Sequence, residues 1–440
     1  ANDRTPDRLY RNNGDGTFSD VGNQTFLPPA GPGVIDAPLG DFDDDGDIDL
    51  FVVNSEKGCT LYTNLRQGKM RAITDETGIP QDRHFTAVAA GDYDNDGALD
   101  VFLTTDGGTS HQLYRNRGDG TFVLDTRSQE ITRATSGVHG LDAHFLDYDN
   151  DGFLDLWVIG KPEGAKRSAV LFRNDGTGRF TDASNLLPES ITDGLNGAVG
   201  DYDNDGNLDL FLIDAEGRVV LLRNEGGNQN GWLQVRLEGV NAGNNKNNID
   251  GIGSKVEIKV GDLYQMKYIT EPITHFGLGA VKRADVLRVV WPNGVPQNVI
   301  LPQANQRILE KQVLKGSCPF LYVYDGEKYQ FLTDLLWRSP LGMITSMGTA
   351  AFADSAEDYV KIPRDRIKPK DGVYSLQITE ELWETAYFDQ VVLIAVDHPA
   401  GTQIFVDEKF IPPPFPEFKI YTAREIHRPR AAFDHRGRDV

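Results

Sequence analysis

The sequence predicts an all-β protein in which a repeated unit forms the blades of a β-propeller and smaller β domains follow it. Three observations predict this fold. A motif returns four times at a period in the fifties, the composition is rich in turn residues, and apolar residues are spaced as in strands.

The four copies occupy residues 40–54 (GDFDDDGDIDLFVVN), 91–105 (GDYDNDGALDVFLTT), 146–160 (LDYDNDGFLDLWVIG) and 200–214 (GDYDNDGNLDLFLID). Their first aspartates, Asp41, Asp92, Asp147 and Asp201, are 51, 55 and 54 residues apart. Each copy is followed by a second shared signature: LYTN from Leu61, LYRNRGDGTF from Leu113, LFRNDGTGRF from Leu171 and LLRNEGG from Leu221. Such a period is too long for a one- or two-strand solenoid coil and suits a four-stranded blade with loop insertions. In the second repeat the expected strands are Thr86–Ala90, Leu99–Thr104, Gln112–Asn116 and Thr121–Leu124, with Gly-Asp-Gly at 118–120 turning the chain before the last. No sustained 3.6-residue apolar period occurs in this region, and 46 Gly with 22 Pro fit a turn-rich β protein.

Residues 9–22 (LYRNNGDGTFSDVG) match the second half of a repeat without an Asp loop before them. The fourth repeat runs into a different sequence at Gly231 and is expected to lack its outer strand. Four loop-bearing repeats and a half-repeat fall short of a closed ring, so upstream blades or strands from elsewhere are expected to complete it. The chain opens on Ala rather than Met, and the expectation is a processed or truncated N-terminus.

Each loop reads D-x-D-x-D-G-x-x-D. Positions 1, 3, 5 and 9 are Asp41, Asp43, Asp45 and Asp49; then Asp92, Asp94, Asp96 and Asp100; then Asp147, Asp149, Asp151 and Asp155; then Asp201, Asp203, Asp205 and Asp209. Alternate residues of a tight loop turn their carboxylates to one centre, and the glycine at position 6 permits the sharp bend. Position 7 (Asp47, Ala98, Phe153 and Asn207) is placed to offer a backbone carbonyl, and the aspartate at position 9 closes the shell. Hard oxygen ligands in this number select Ca2+, so about four calcium sites are expected. Zinc or copper would call for His or Cys, which the loops lack. An EF-hand requires Glu at position 12 between helices, whereas position 12 here is Val52, Leu103, Val158 or Leu212, each inside an apolar strand. Solvated acidic turns are the bland alternative for one such loop, but four intact copies at even spacing argue against it.

The net charge of −22 argues against a nucleic-acid partner, and 16 of the 66 acidic residues sit at the pattern positions, so the acidity reads as a metal requirement. Apolar runs such as Val391–Val396 are far too short to span a membrane. The two cysteines, Cys59 and Cys318, form neither a disulfide framework nor a metal cluster. No nucleophile–base set, phosphate-cradling loop or dinucleotide fingerprint occurs, so no enzyme activity is expected. His139 and His144, beside the strand entering the third loop, are the one pair a lyase could use, and His275 next to Phe276 reads as structural. A single sequon stands at Asn23.

These repeats resemble the FG-GAP/VCBS repeats of integrin α-subunit propellers and bacterial surface proteins, over residues 9–224. The resemblance implies calcium in the same strand–loop–strand position, on the aspartates named above. A second resemblance begins at Gly231: residues 232–239 (WLQVRLEG), 248–261 (NIDGIGSKVEIKVG), 275–279 (HFGLG) and 289–294 (VVWPNG) are similar to the ASPIC/UnbV domain. Alternation in Trp232–Leu237 and Lys255–Val260 independently predicts a small β domain. Residues 318–342 resemble a segment that follows this domain in large bacterial proteins, which implies that the polypeptide continues past Val440. Tyr374–Ile378, Val391–Val396 and Gln403–Val406 read as strands there, with a turn at Asp371-Gly372 and an irregular Pro-rich stretch at Ile411–Pro416. The expected domains are therefore 1–228, 229–314 and 315–440. The expected function is a secreted or cell-surface calcium-binding scaffold or adhesion protein for a protein or glycan partner, with the bacterial periplasm as the alternative compartment. Two other readings are a fibre or surface-layer subunit, homo-oligomeric through strand addition, and a calcium-dependent polysaccharide lyase.

Overall fold

The computed structural model describes residues 9–13, 16–22, 34–54, 58–65, 69–107, 109–127, 129–163, 167–226, 230–240, 247–313, 319–335, 344–346, 349–350, 359–379, 390–406 and 419–425. The chain divides into two compact units, Ala1–Val313 and Leu314–Val440.

Each repeat forms its own antiparallel sheet. In the second, Phe85–Gly91, Asp100–Thr105, Gln112–Asn116 and Phe122–Leu124 pair in sequence order, within a residue or so of the expected strands. The third repeats that order with Val138–Leu146, Asp155–Pro162, Val170–Asn174 and Phe180–Asp182. In the first, Val34–Asp36 and Leu39–Gly40 both pair with Asp49–Asn54, and Gly58–Asn64 and Met70–Ile73 follow. The fourth has three strands, Asn196–Gly200, Asp209–Ile213 and Val219–Leu222. The half-repeat at the N-terminus is a hairpin of Tyr10–Asn12 and Phe18–Asp20.

Consecutive sheets stack face to face, which explains why their second strands read as apolar runs. In the second blade Val101 and Leu103 enter the core shared with the first blade, while Phe102 enters the core shared with the third. In the third blade Leu156 and Val158 point back and Trp157 and Ile159 point forward. Strand side chains alternate between faces, so burial on both sides demands an unbroken apolar run. Phe42, Phe51 and Phe122 form a three-ring group, with ring centroids 5.6, 5.7 and 6.3 Å apart. Burying each such ring is worth about 1.5–3 kcal/mol. The forward face of the fourth blade has no sheet against it among the described residues. There Ile213, Val219 and Leu221 are exposed, so the described sheets form an open propeller-like array.

Residues 231–311 fold as two facing sheets. One pairs Thr274–Gly279, Gly231–Glu238 and Gln306–Lys311, the last two in parallel; the other orders Leu263–Tyr268, Lys255–Val260, Val286–Val290 and Pro296–Ile300. Between them lie Leu233, Val235, Val256, Ile258, Phe276, Leu287, Val289 and Trp291. This domain and the four blades belong to one compact unit.

In the second unit Phe320–Tyr324 pairs with Tyr329–Asp334 and Leu376–Thr379. Asp371 and Gly372, at φ 51° and 81°, make the tight turn between Pro369–Lys370 and Val373–Tyr374. Positive φ at both central residues is what a primed hairpin turn requires. Gln403–Val406 is a strand as expected, paired with Ile420–Ala423. The expected strand Tyr374–Ile378 is split, because Tyr374 belongs to that hairpin and Leu376–Thr379 to the larger sheet. Val391–Val396 is not a strand. Its residues are exposed and pair with no strand among the described residues, and propensity alone does not make a ladder. The all-β expectation also missed one short helix, Gln129–Ala134, anchored by buried Ile131 alone and too brief for periodicity to reveal. Cys318, the sequon at Asn23, residues 336–342, Ile411–Pro416 and residues 437–440 lie outside the described residues.

Candidate metal centres

Each acidic loop leaves the first strand of its blade at position 1 and re-enters the second strand at position 9. The backbone bends by two residues in the left-handed region. Position 4 (Asp44, Asn95, Asn150 and Asn204) has φ of 53°, 55°, 57° and 61°, and glycine at position 6 has φ of 87°, 92°, 92° and 86°. Asp and Asn tolerate that region better than other side-chain-bearing residues, which accounts for their choice at position 4.

The aspartates at positions 1 and 9 organise this loop. Asp92 accepts the backbone N–H groups of Asp96 and Gly97, both at 3.0 Å, and Asp41, Asp147 and Asp201 do the same in their loops. Asp100 is fully buried at the base. Its Oδ2 accepts the Tyr93 N–H and its Oδ1 the Asn116 N–H at 2.8 Å. Asp49, Asp155 and Asp209 repeat that bridge from loop to third strand. At position 7, the N–H groups of Asp47, Ala98, Phe153 and Asn207 bind the carboxylates at position 5, Asp45, Asp96, Asp151 and Asp205.

The structure gathers Asp41, Asp43 and Asp45; Asp92, Asp94 and Asp96; and Asp147, Asp149 and Asp151, with one carboxylate oxygen of each within 4.8 Å of the others. In the fourth loop the group is Asp201, Asp203 and Asp209. There Asp205 lies 3.7 Å from Arg223. Position 9 in the first three loops stands behind the cluster, in the backbone bridge just described.

Two residue types escaped attention in the sequence, although both belong to the repeated L-x-R-N signature. The arginine grips the outer oxygens of the cluster. Arg173 binds Asp149 at 2.9 Å and Asp151 at 3.0 Å, and Arg223 binds Asp203 at 2.8 Å. In the second loop Arg127 takes Asp94 instead, at 2.9 Å. The asparagine sews neighbouring repeats together. Asn116 donates to the carbonyls of Phe42 and Leu99, Asn174 to those of Tyr93 and Leu154, and Asn224 to those of Tyr148 and Leu208. In each pair the first acceptor belongs to the preceding repeat.

Burial and mutual repulsion raise the carboxyl pKa values of the clusters. Desolvation, then the charges of Asp45 and Asp41, pushes Asp43 up to about 6. Desolvation above all pushes Asp49, Asp92 and Asp147 to about 7, and it raises Asp100 and Asp155 well above the usual carboxylate range. Such groups must take up protons or a cation. The residues fit calcium. The donors are all oxygen, and Asp43 Oδ1 and Asp94 Oδ1 are buried with no hydrogen-bond partner, so each keeps free lone pairs for an ion.

The histidines are held by other groups. His139 and His144 lie within Val138–Leu146 rather than flanking it. His139 Nδ1 is 3.6 Å from Glu163, and His144 is 3.1 Å from Asp142 and tilted over Trp157. Asp36, Asp142 and His144 line a cavity of about 350 Å3, where both carboxylates also accept backbone N–H groups of the following blade. His275 is buried and its Nε2 is 2.6 Å from Asn150 Oδ1. Cys59 is buried and free, and burial pushes its thiol pKa far up.

The chain matches known families in two stretches. The FG-GAP-like repeat matches residues 1–52, 41–103, 92–158 and 147–212, and the ASPIC and UnbV family matches residues 243–313. Cartilage acidic protein 1 of Xenopus tropicalis is 28% identical over 272 residues, covering 56% of this chain and 40% of that protein. Cartilage acidic protein 1 of Homo sapiens is 27% identical over 317 residues, covering 54% of this chain and 45% of that protein. The chain thus spans less than half the length of these curated relatives. A solved protein from Lactobacillus plantarum aligns over 66% of this chain and 76% of its own at 12% identity, with a TM-score of 0.29, too low to specify a fold. The Asp loops, their even period and the two-sheet domain after them agree with the family matches: the chain is built of FG-GAP-like repeats followed by an ASPIC and UnbV domain, and it is homologous to cartilage acidic protein 1.

Proposed function

We propose that this protein is a secreted or cell-surface scaffold whose blades are stapled by calcium and whose outer surface binds a protein or glycan partner. The observation that carries the reading is the fourfold cluster of carboxylates, with buried oxygens at Asp43 and Asp94 that no protein donor satisfies. Extracellular fluids hold calcium at millimolar levels, where loops of this kind fill. The kinship with a protein named for cartilage, a tissue rich in extracellular matrix, supports the same compartment. Calcium in this reading is structural, because each loop joins the first two strands of a blade and its position-1 and position-9 carboxylates are bound by backbone N–H groups.

Thermal unfolding of the 440-residue chain tests the calcium reading. An ion at a hundred times its Kd adds about 2.7 kcal/mol per site, so the midpoint should rise by roughly 10 °C or more from chelator to calcium. Coincident curves would refute it. Arrays of extracellular proteins and glycans, probed in calcium and in chelator, test the partner reading, which expects a signal that chelation abolishes.

One observation favours self-assembly as a second reading. The exposed Ile213, Val219 and Leu221 occupy the face that earlier blades bury against a neighbour. Sedimentation velocity across a range of concentrations should then show oligomers, and a single monomeric species throughout would end that reading.

A further inference from the structure

The last three loops are tied to one another in order. Asn95 Nδ2 donates to the Gly152 carbonyl at 3.0 Å, and Asn150 Nδ2 to the Gly206 carbonyl at 3.1 Å, so position 4 of one loop holds position 6 of the next. The first loop has Asp44 at position 4, which as a carboxylate cannot donate such a bond.

The small β domain of residues 231–311 contacts all four loops. At the first loop, Tyr268 Oη donates to Asp41 Oδ2 at 3.1 Å and Lys255 Nζ pairs with Asp44 at 3.3 Å. At the second, Tyr264 packs on Gly97; a Cβ there would lie 3.6 Å from the ring. At the third, His275 meets Asn150, and the Gly279 N–H donates to the Asn150 carbonyl at 2.8 Å. Gly277 passes so close that an added Cβ would lie 2.0 Å from Asp147 Oδ2. At the fourth, Gln234 Nε2 donates to Asp201 Oδ2 at 2.6 Å and Arg307 to Asn204 Oδ1 at 2.8 Å. Trp232 covers Gly206 so closely that no side chain fits there.

These contacts follow a rule. The domain meets positions 1, 4 and 6, while in the last three loops arginines of the blades take positions 3 and 5. We propose that Tyr268, Gln234 and His275 are positioning residues of the calcium loops, so that calcium occupancy and docking of the small β domain form one linked equilibrium. The inference rests on calcium filling the loops. An ion draws the position-1 carboxylates inward and fixes the oxygens that Tyr268 and Gln234 bind. Without it, like charges within 4.8 Å repel, the loops open, and the domain loses four supports together. Linkage makes the effect reciprocal: loosening the domain must weaken calcium binding by the same free energy.

Two measurements on the 440-residue chain test this. The first compares calcium affinity, by indicator competition, between the wild type and a Tyr268→Phe/Gln234→Leu double variant. Neither change replaces a proposed ligand; each removes a hydrogen bond to one, and loss of such support typically weakens metal binding about 10–100-fold. We expect at least the lower figure. The second follows amide hydrogen exchange of the wild type in calcium and in chelator. Amides of Leu263–Tyr268 and Thr274–Gly279 should lose protection together with the loops. Unchanged affinity in a folded variant, or loops that loosen while these two strands keep their protection, would overturn the linkage alone. A wild type that binds no calcium would overturn both this inference and the calcium reading. If the variant fails to fold, the exchange measurement on the wild type decides.

Discussion

In the second loop Asp94 divides its carboxylate between two partners: Oδ2 takes Arg127 at 2.9 Å, and Oδ1 is left facing the cluster without a hydrogen bond. Asp94→Asn keeps the shape and removes one charged oxygen. Calcium affinity follows ligand charge, so one site should weaken by at least about tenfold in a calcium titration. Asp262→Asn makes the same charge change at an exposed residue of the small domain and should leave binding unaltered. If both variants weaken binding equally, the effect is general electrostatics and Asp94 is no ligand. Away from the loops, His111 is a separate acid-sensitive point. It is buried, its Nδ1 accepts the Thr105 N–H at 3.0 Å, and Phe102 packs edge-on against it. Desolvation first, then the charge of His139, lowers its pKa to about 4. A base whose folded pKa lies below its unfolded value of about 6.5 contributes full stability above that value. The contribution is lost as pH falls from about 6.5 to 4, by roughly 3 kcal/mol in all. His111→Gln should therefore cost less stability at pH 4 than at pH 7.5, as read from urea midpoints. A pH-independent difference would contradict this account.

At the scale of elements, the blades hold to one another through buried asparagines as well as through apolar faces. Asn174 is fully buried; it donates at 2.8 Å to Tyr93 and 3.0 Å to Leu154, and its Oδ1 accepts the Gly176 N–H. Asn174→Ala leaves two buried carbonyls without donors, at about 1–3 kcal/mol each. The expected loss is about 2–6 kcal/mol in denaturant unfolding, and a loss below about 1 kcal/mol would contradict the clamp. This clamp also marks the limit of what the sequence made legible. The Asp loops were readable because metal chemistry dictates residue type at fixed spacing within nine positions. The L-x-R-N signature was visible as a repeat, but its bonds run to residues 74, 81 and 76 positions away, and no local spacing encodes such partners. The same limit applies to the small β domain. Its strands were legible from alternation, Trp232 and Gln234 among them, whereas the seat of those two and of Tyr268 on the loops is a contact between distant residues that no local pattern encodes. Val391–Val396 errs in the opposite direction, because strand propensity was present and no pairing partner stands among the described residues.

For the molecule as a whole, the net charge of −22 is concentrated where carboxylates sit within 4.8 Å of one another. Four calcium ions would bring eight positive charges to those points, so the calcium-loaded and chelated proteins differ strongly in their electrostatics. Self-repulsion of a chelated chain acts across neighbouring loops and is screened by salt, with a Debye length of about 30 Å at 0.01 M and about 3 Å at 1 M. Raising monovalent salt through that range should therefore stabilise the chelated protein by several degrees. It should stabilise the calcium-loaded protein much less, since its close charges are already neutralised at short range. Thermal midpoints measured in sodium chloride, with calcium or with chelator, check the prediction through the difference between the two slopes. Sulfate is avoided because it strengthens apolar burial by exclusion and would raise both curves. Equal slopes would mean that the loops carry no unbalanced charge when calcium is removed, and the clusters would then hold their protons at neutral pH. A steeper slope in chelator would instead place the cost of the empty state in the repulsion among these four sites.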